Sequence, residues 1–129
     1  NKLYMHMDGR KLYQYALTNV PDLVKSSLEK ADLDFEDVHK VLIHQANAKM
    51  DEAIIKRLGK LYGIENVPDD IMPMTISWPG NTSVATVPTL LDLILRRRMD
   101  GHQIRSGDAI VLSSVGAGMN INSVVYKTP

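Results

Sequence analysis

The chain has 129 residues, 44% of them hydrophobic, which suits one compact domain with a real core and leaves no case for disorder. Fifteen basic and fifteen acidic side chains cancel, so net charge gives no support to a nucleic-acid or membrane-surface role. The absence of cysteine removes disulfides, thiolate metal sites and a cysteine nucleophile from this chain, and is compatible with a cytoplasmic setting.

Along the chain, apolar residues recur at Leu12, Ala16, Val20, Leu23, Val24, Leu28 and Ala31, a helical period over Asp8 to Ala31. Pro21 is expected to start or kink a second segment there. Asp32 to Asp37 reads as a turn, and Val38 to Ile43 as a short strand. Ala48 to Leu61 reads as a helix with Met50, Ile54, Leu58 and Leu61 on one face and Lys49, Glu52, Lys56 and Lys60 on another. Gly59 and Gly63 weaken its end. Ile71 to Trp78 reads as a second strand, broken by Trp78-Pro79-Gly80-Asn81. Thr82 to Arg98 is expected to be helical around Val87, Leu90, Leu91, Ile94 and Leu95, with a kink at Pro88. Its closing run, Arg96-Arg97-Arg98, suits the negative end of a helix. Ala109 to Val115 and Asn120 to Tyr126 read as strands joined by the turn Gly116-Ala117-Gly118.

Strands alternating with helices predict an α/β layered sheet with right-handed crossovers, closed by an antiparallel hairpin, in a single domain over residues 1–129. No apolar run approaches the ~18 residues of a membrane span, and no signal-peptide pattern opens the chain. The start at Asn1-Lys2-Leu3, with no initiator Met, is expected of an excised fragment.

In such a sheet, chemistry gathers beyond the carboxyl ends of the strands. His44-Gln45-Ala46-Asn47, Gly80-Asn81-Thr82-Ser83 and Gly116-Ala117-Gly118 all fall there. Metal binding is not expected: His39 and His44 cannot share an ion on one strand, His6 and His102 lie at the periphery, and no metal-ligand spacing occurs. Nucleotide binding has only weak support, since neither Gly-rich stretch has a phosphate-loop spacing. His44 and Asn81 carry more. A neutral His donates one N–H and an Asn donates from its NH₂. Two such donors aimed at one thioester oxygen would stabilise an enolate. The plain alternative is a satisfied buried histidine and a helix-capping asparagine.

These motifs together resemble a known family. "HQANAKM", then "GNTSVATVP", then "GDAIVLSSVGAGMNINSVV" look like the C-terminal half of the β-ketoacyl-acyl-carrier-protein synthases III, and "MDGRKLYQYAL" looks like the entry into that half. The resemblance runs from about Met7 to Tyr126. It implies the C-terminal half of the thiolase fold, with layered helices on a mixed, mostly parallel sheet and a C-terminal hairpin. It implies an acyltransferase of fatty acid biosynthesis, working by decarboxylative Claisen condensation of acyl-CoA with malonyl-acyl carrier protein. No cofactor is implied beyond those substrates. The nucleophilic cysteine would lie in an absent N-terminal half, so this chain alone is expected to be inactive. His44 and Asn81 match the catalytic His and Asn. Ala117 matches the backbone oxyanion donor, at a position where the family has Gly. Asn47 matches a pantetheine contact, and Lys49, Lys56 and Arg57 match a carrier-protein dock. The partners implied are acyl carrier protein, CoA thioesters and a homodimer mate, without nucleic acid or membrane. Other readings stay open: a non-catalytic thiolase-like domain that binds a carrier protein, or a relative such as a hydroxymethylglutaryl-CoA synthase or polyketide ketosynthase.

Overall fold

The computed structural model describes residues 3–4 and 7–129. His6 therefore lies outside the described residues. Asp8 opens the first helix, α1 (Gly9–Lys30), by accepting a hydrogen bond from the Lys11 N–H at 3.1 Å, which satisfies one of the orphan donors of the first turn. Ala16, Val20, Val24 and Leu28 recur every four residues and are buried together on one stripe. Pro21 sits inside α1 and does not divide it. An interior proline costs about 3 kcal/mol. Here Val20, Pro21 and Val24 are all buried, and that packing offsets the missing N–H.

A 3-10 turn, Phe35–Asp37, follows, with the Asp34 N–H donating to the Asp37 carboxylate at 2.8 Å. Phe35, in the stretch read as a plain acidic turn, is buried and stacks on Tyr62 at 5.8 Å between ring centres. The turn feeds β1 (Val38–Ile43), which leads into α2 (Ala48–Leu61). Gly59 does not weaken that helix. It is buried where Ile64 and Val67 fold back, and there is no room there for a Cβ.

The stretch Ile71–Trp78 is not a strand. It runs beside β1 but makes a single backbone bond to it, Val41 N–H to Ile71 O at 2.8 Å. Pro73 has no N–H to give a ladder, and side chains of Lys40 and Gln45 take the groups a neighbouring strand would have used. The helix expected from Thr82 is also shorter: a 3-10 turn, Ser83–Ala85, precedes α3 (Thr86–Leu95). Pro88 falls in the first turn of α3, where an N–H would have no intrahelical partner, so it costs no hydrogen bond. The arginine run lies past the last helical residue and forms its cap.

The remaining strands are β2 (Ala109–Gly116) and β3 (Asn120–Lys127). The sheet order is β1-β2-β3, with β1 parallel to β2 and β2 antiparallel to β3. Alternation splits the core in two. Val41, Ile43 and Val111 face α1 and α2, while Leu42 and Leu112 face α3. Because β1 and β2 run parallel, with Ile43 opposite Ser113, His44 and the Gly116 turn emerge at the same end of the sheet.

Candidate active site at the carboxyl ends of the strands

Val41 and Ile43 point into the larger core, and continuing the alternation turns Gln45 inward as well. Its side chain is fully buried and hydrogen-bonded at both the amide nitrogen and the amide oxygen. Nε2 donates to Pro73 O at 2.8 Å, and Oε1 accepts from Thr75 N at 2.8 Å and Ile76 N at 3.0 Å. These partners also fix which end of the amide is oxygen. The residues leading to Asn81 are thus tied to the end of β1 by one side chain. Lys40 adds a second tie. Its buried ammonium donates to the backbone carbonyl of Asp70 at 2.8 Å and to the Asp70 carboxylate at 2.9 Å. The hydrogen bond and the charge of Lys40 hold the Asp70 carboxyl below its usual range. Burial, then the nearby Lys40 charge, lowers the pKa of His102.

His44 is half-exposed at the tip of β1, and its backbone N–H donates to Ser113 O at 2.9 Å. Its ring Nδ1 lies 3.1 Å from Ser83 O. A carbonyl only accepts, so Nδ1 carries a proton and the neutral ring presents a lone pair from Nε2. This changes the expectation that a neutral His44 donates to a substrate oxygen. With Nδ1–H committed to Ser83, Nε2 donates only from the doubly protonated ring. Asn81 Oδ1 accepts from Ser83 N–H at 2.9 Å, leaving the Asn81 NH₂ for a ligand. One residue therefore orients both side chains: its N–H holds Asn81 and its carbonyl holds His44. Ser83 does so with φ at 53°, a left-handed conformation that is uncommon for a residue with a Cβ.

The other expected site residues are placed less closely. Asn47 caps α2, its Oδ1 accepting from Lys49 N at 3.0 Å and Met50 N at 3.3 Å, so only its NH₂ is free for another partner. Lys49, Lys56 and Arg57 are all exposed on α2. At about 100° per residue, Lys49 and Lys56 share a line that Lys60 extends, and Arg57 stands to one side. Ala117 is exposed in the turn beyond β2, and Asn120 Nδ2 donates to its carbonyl at 3.1 Å. The left-handed positions of that turn are Gly118 (φ 75°) and Met119 (φ 56°), so the methyl of Ala117 falls where it causes no backbone strain. No hydrogen bond joins Ala117 to His44 or Asn81 among the described residues, although β2 and the Ser83–Ala85 turn are in contact. Also among the described residues, no three His, Asp or Glu side chains gather where they could hold a metal ion.

Gln45 and Ser83 lie inside the stretches singled out at the strand ends but carry no role there, and Asp51 lies outside them. The inward phase of Gln45 was legible from the strand. Ser83 left no signal, because its role is played by its backbone. Asp51 occupies the first turn of α2, fully buried, with neither carboxylate oxygen hydrogen-bonded. Burial, and secondarily the Glu52 charge, pushes its pKa up to about 7.

Residues 28–128 match the family model for the C-terminal part of 3-oxoacyl-[acyl-carrier-protein] synthase III. The chain is 36% identical over 121 residues to the beta-ketoacyl-[acyl-carrier-protein] synthase III of Acaryochloris marina, covering 94% of this chain and 33% of that protein. The fold superposes on the crystal structure of 3-oxoacyl-(acyl carrier protein) synthase III from Pseudomonas aeruginosa PAO1 with a TM-score of 0.81, at 29% identity over 98% of this chain and 36% of the other. A priming beta-ketosynthase from the R1128 polyketide biosynthetic pathway superposes with a TM-score of 0.80, at 27% identity over 96% of this chain and 34% of the other. The chain thus spans about a third of the length of the relatives it matches. Its helices and three-stranded sheet with a terminal hairpin are a C-terminal portion of the thiolase fold. Within the described residues no helix is long and apolar enough to cross a membrane. By its matched residues and its fold, this chain belongs to the family of 3-oxoacyl-[acyl-carrier-protein] synthase III C-terminal domains.

Proposed function

We propose that this chain supplies the decarboxylating half of a β-ketoacyl-acyl-carrier-protein synthase III site. The reading rests on one observation above all: Ser83 alone orients both His44 and Asn81, with His44 Nδ1 on Ser83 O at 3.1 Å and Ser83 N–H on Asn81 Oδ1 at 2.9 Å. In this reading the thioester carbonyl of malonyl-acyl carrier protein accepts from Asn81 Nδ2–H and from Nε2–H of His44. With Nδ1–H committed to Ser83 O, Nε2 donates to the thioester oxygen only where it also carries a proton. The C–C bond to the carboxylate breaks, CO₂ leaves, and the electron pair becomes an enolate whose oxygen both donors stabilise. The enolate carbon attacks an acyl-cysteine thioester. The new oxyanion accepts a hydrogen bond from the Ala117 N–H, then collapses to the ketone as the cysteine thiolate departs.

The nucleophile and the acyl pocket belong, in this reading, to the remaining two thirds of a protein as long as the relatives. The isolated chain then forms no condensation product. The full-length protein would be a cytoplasmic homodimer that uses acyl-CoA as primer. Asn47 offers its NH₂ to the pantetheine arm. The stripe of Lys49 and Lys56, flanked by Arg57, meets an acidic carrier protein through complementary charge.

The test uses the enzyme carrying this chain together with its cysteine-bearing remainder. His44→Ala and Asn81→Ala should each slow malonyl decarboxylation and condensation about 10²–10³-fold, as loss of one oxyanion donor does. Acylation of the cysteine by acyl-CoA should persist. Undiminished decarboxylation in the double variant would refute the assignment and favour a domain that only binds a carrier protein.

A further inference from the structure

Gln45 follows His44 in the chain, yet its side chain serves the arm that brings in Asn81. From the His44 ring, a path of bonds returns to its own start. Nδ1 lies 3.1 Å from Ser83 O, and Ser83 N–H donates to Asn81 Oδ1 at 2.9 Å. Back along the chain from Asn81, Ile76 N–H donates to Gln45 Oε1 at 3.0 Å, and a peptide bond joins Gln45 to His44. Ser83 closes this ring on one side and Gln45 on the other. Ser83 orients the two side chains. A hydrogen bond still allows rotation about its own axis, so the Ser83 side does not by itself fix how far apart the two backbones stand.

The arm cannot hold itself. Residues 71–78 form no strand, and the Val41–Ile71 bond and the Lys40 contacts to Asp70 secure only the beginning of the arm. Its far half hangs on Thr75. Thr75 N–H and Oγ1 both lie on Gln45 Oε1, at 2.8 and 3.3 Å, and Thr75 O accepts from Trp78 N–H at 3.1 Å. The turn that enters Pro79-Gly80-Asn81 therefore grows from a residue that Gln45 holds.

These contacts call for a neutral amide. Pro73 offers only a carbonyl, while Thr75 and Ile76 offer N–H groups. An amide donates to the first and accepts from the others; a carboxylate has no proton to donate, and an apolar side chain does neither. Gln45 and Thr75 are both buried, so water does not stand in for either partner.

We propose, resting on the function assigned above to the His44–Asn81 pair, that Gln45 is a positioning residue for the decarboxylation. It sets the separation of the two side chains, and so the fit of their donors to one thioester oxygen. A misplacement of ~1 Å is worth on the order of 10²-fold in rate. A side chain needed for folding alone would act on rate as any core truncation of equal cost does. A positioning residue loses its effect once the group it positions is gone.

The experiment uses the enzyme carrying this chain together with its cysteine-bearing remainder. Gln45→Met should slow malonyl decarboxylation roughly tenfold or more and leave cysteine acylation unchanged. On the Asn81→Ala background the same change should cost less than about twofold. Leu28→Ala, a truncation in the core at the end of α1, should slow neither step. Gln45→Glu keeps an oxygen for Thr75 and Ile76 and loses the donor to Pro73. It serves where Gln45→Met does not fold, and its loss of rate should likewise vanish without Asn81. A further readout needs no catalysis. Nitrogen NMR of this chain should find the proton of the neutral His44 ring on Nδ1. The Gln45 variants should spread that proton over both ring nitrogens, and Leu28→Ala should not. The proposal is overturned if a folded Gln45 variant decarboxylates at the parent rate, or costs the same factor again without Asn81. It is equally overturned if Leu28→Ala slows decarboxylation as much, or if the ring proton stays on Nδ1 in both Gln45 variants. If the parent enzyme does not decarboxylate malonyl thioesters, the function assigned to the pair fails, and the ring proton alone decides whether Gln45 positions it.

Discussion

Gln45 and Asp51 lie on either side of the Asn47 cap of α2, and both are wholly withdrawn from solvent. Every polar atom of the Gln45 amide is hydrogen-bonded, and all the partners belong to the segment that carries Asn81 into place. Neither carboxylate oxygen of Asp51 has a partner. The contrast separates two kinds of buried polarity. A satisfied amide acts as a strut, because the segment it holds has nowhere else to bond. An unsatisfied carboxyl is a weakness that depends on its proton, because only the neutral form is tolerable in an apolar setting.

The largest expected effect comes from removing the strut. Gln45→Leu keeps the burial but leaves Thr75 N–H, Ile76 N–H and Pro73 O without partners. At ~1–3 kcal/mol for each buried group left unpaired, the variant should lose roughly 3 kcal/mol or more of unfolding free energy in urea. Amide exchange should quicken first between Ile71 and Asn81. A loss under about 1 kcal/mol would mean that the segment is held by something else.

Asp51 should produce a stability that depends on pH. Burial raises the pKa of its carboxyl to about 7 in the folded chain, from an ordinary 3.8. A raised folded pKa means the folded state holds the proton more tightly, so its stabilising share is complete below about pH 4. It is then lost as pH rises through about 7, by an order of 4 kcal/mol at 1.36 kcal/mol per unit. Asp51→Ala should therefore flatten the pH dependence of the urea midpoint between pH 4 and 8. It should also be more stable than the parent at pH 8. A parent protein equally stable at pH 4 and pH 8 would show that Asp51 finds a partner or water in solution.

Ser83 should give the smallest change in stability and sharpen the comparison differently. Its bonds to His44 and Asn81 come from the backbone, so Ser83→Gly retains them and removes the cost of the left-handed φ. A gain of roughly 0.5–1 kcal/mol is expected. Ser83→Val keeps the same backbone groups but resists that φ, so it should be destabilised and should disorder the His44 ring, read from its NMR cross-peaks. Equal behaviour of the Gly and Val variants would count against the strained turn as the positioning element.

Much of this arrangement is written in local pattern. The four-residue stripe of α1, the alternation of β1 and the small-residue turn after β2 each specify an element, because side-chain spacing decides which face is buried. The strand ends, and with them His44 and Asn81, follow from that pattern and from the rule that sheets present chemistry beyond their carboxyl ends. Where the pattern misled, a partner distant in sequence was the cause. Ile71–Trp78 has strand-like composition, yet Pro73 and the Gln45 amide prevent a ladder. Pro21 suggested a break in α1, yet the surrounding core holds the helix through it.

The sequence by itself determined the elements, their order and the residue types gathered at one end of the sheet, because those depend on periodicity and local chemistry. Only the tertiary structure decided which ring nitrogen of His44 carries a proton, which residue aims Asn81 and what becomes of a buried carboxyl at Asp51. Those outcomes depend on hydrogen-bond partners supplied by other parts of the chain, or on their absence. No spacing along the chain encodes a bond between a side chain and a remote backbone carbonyl.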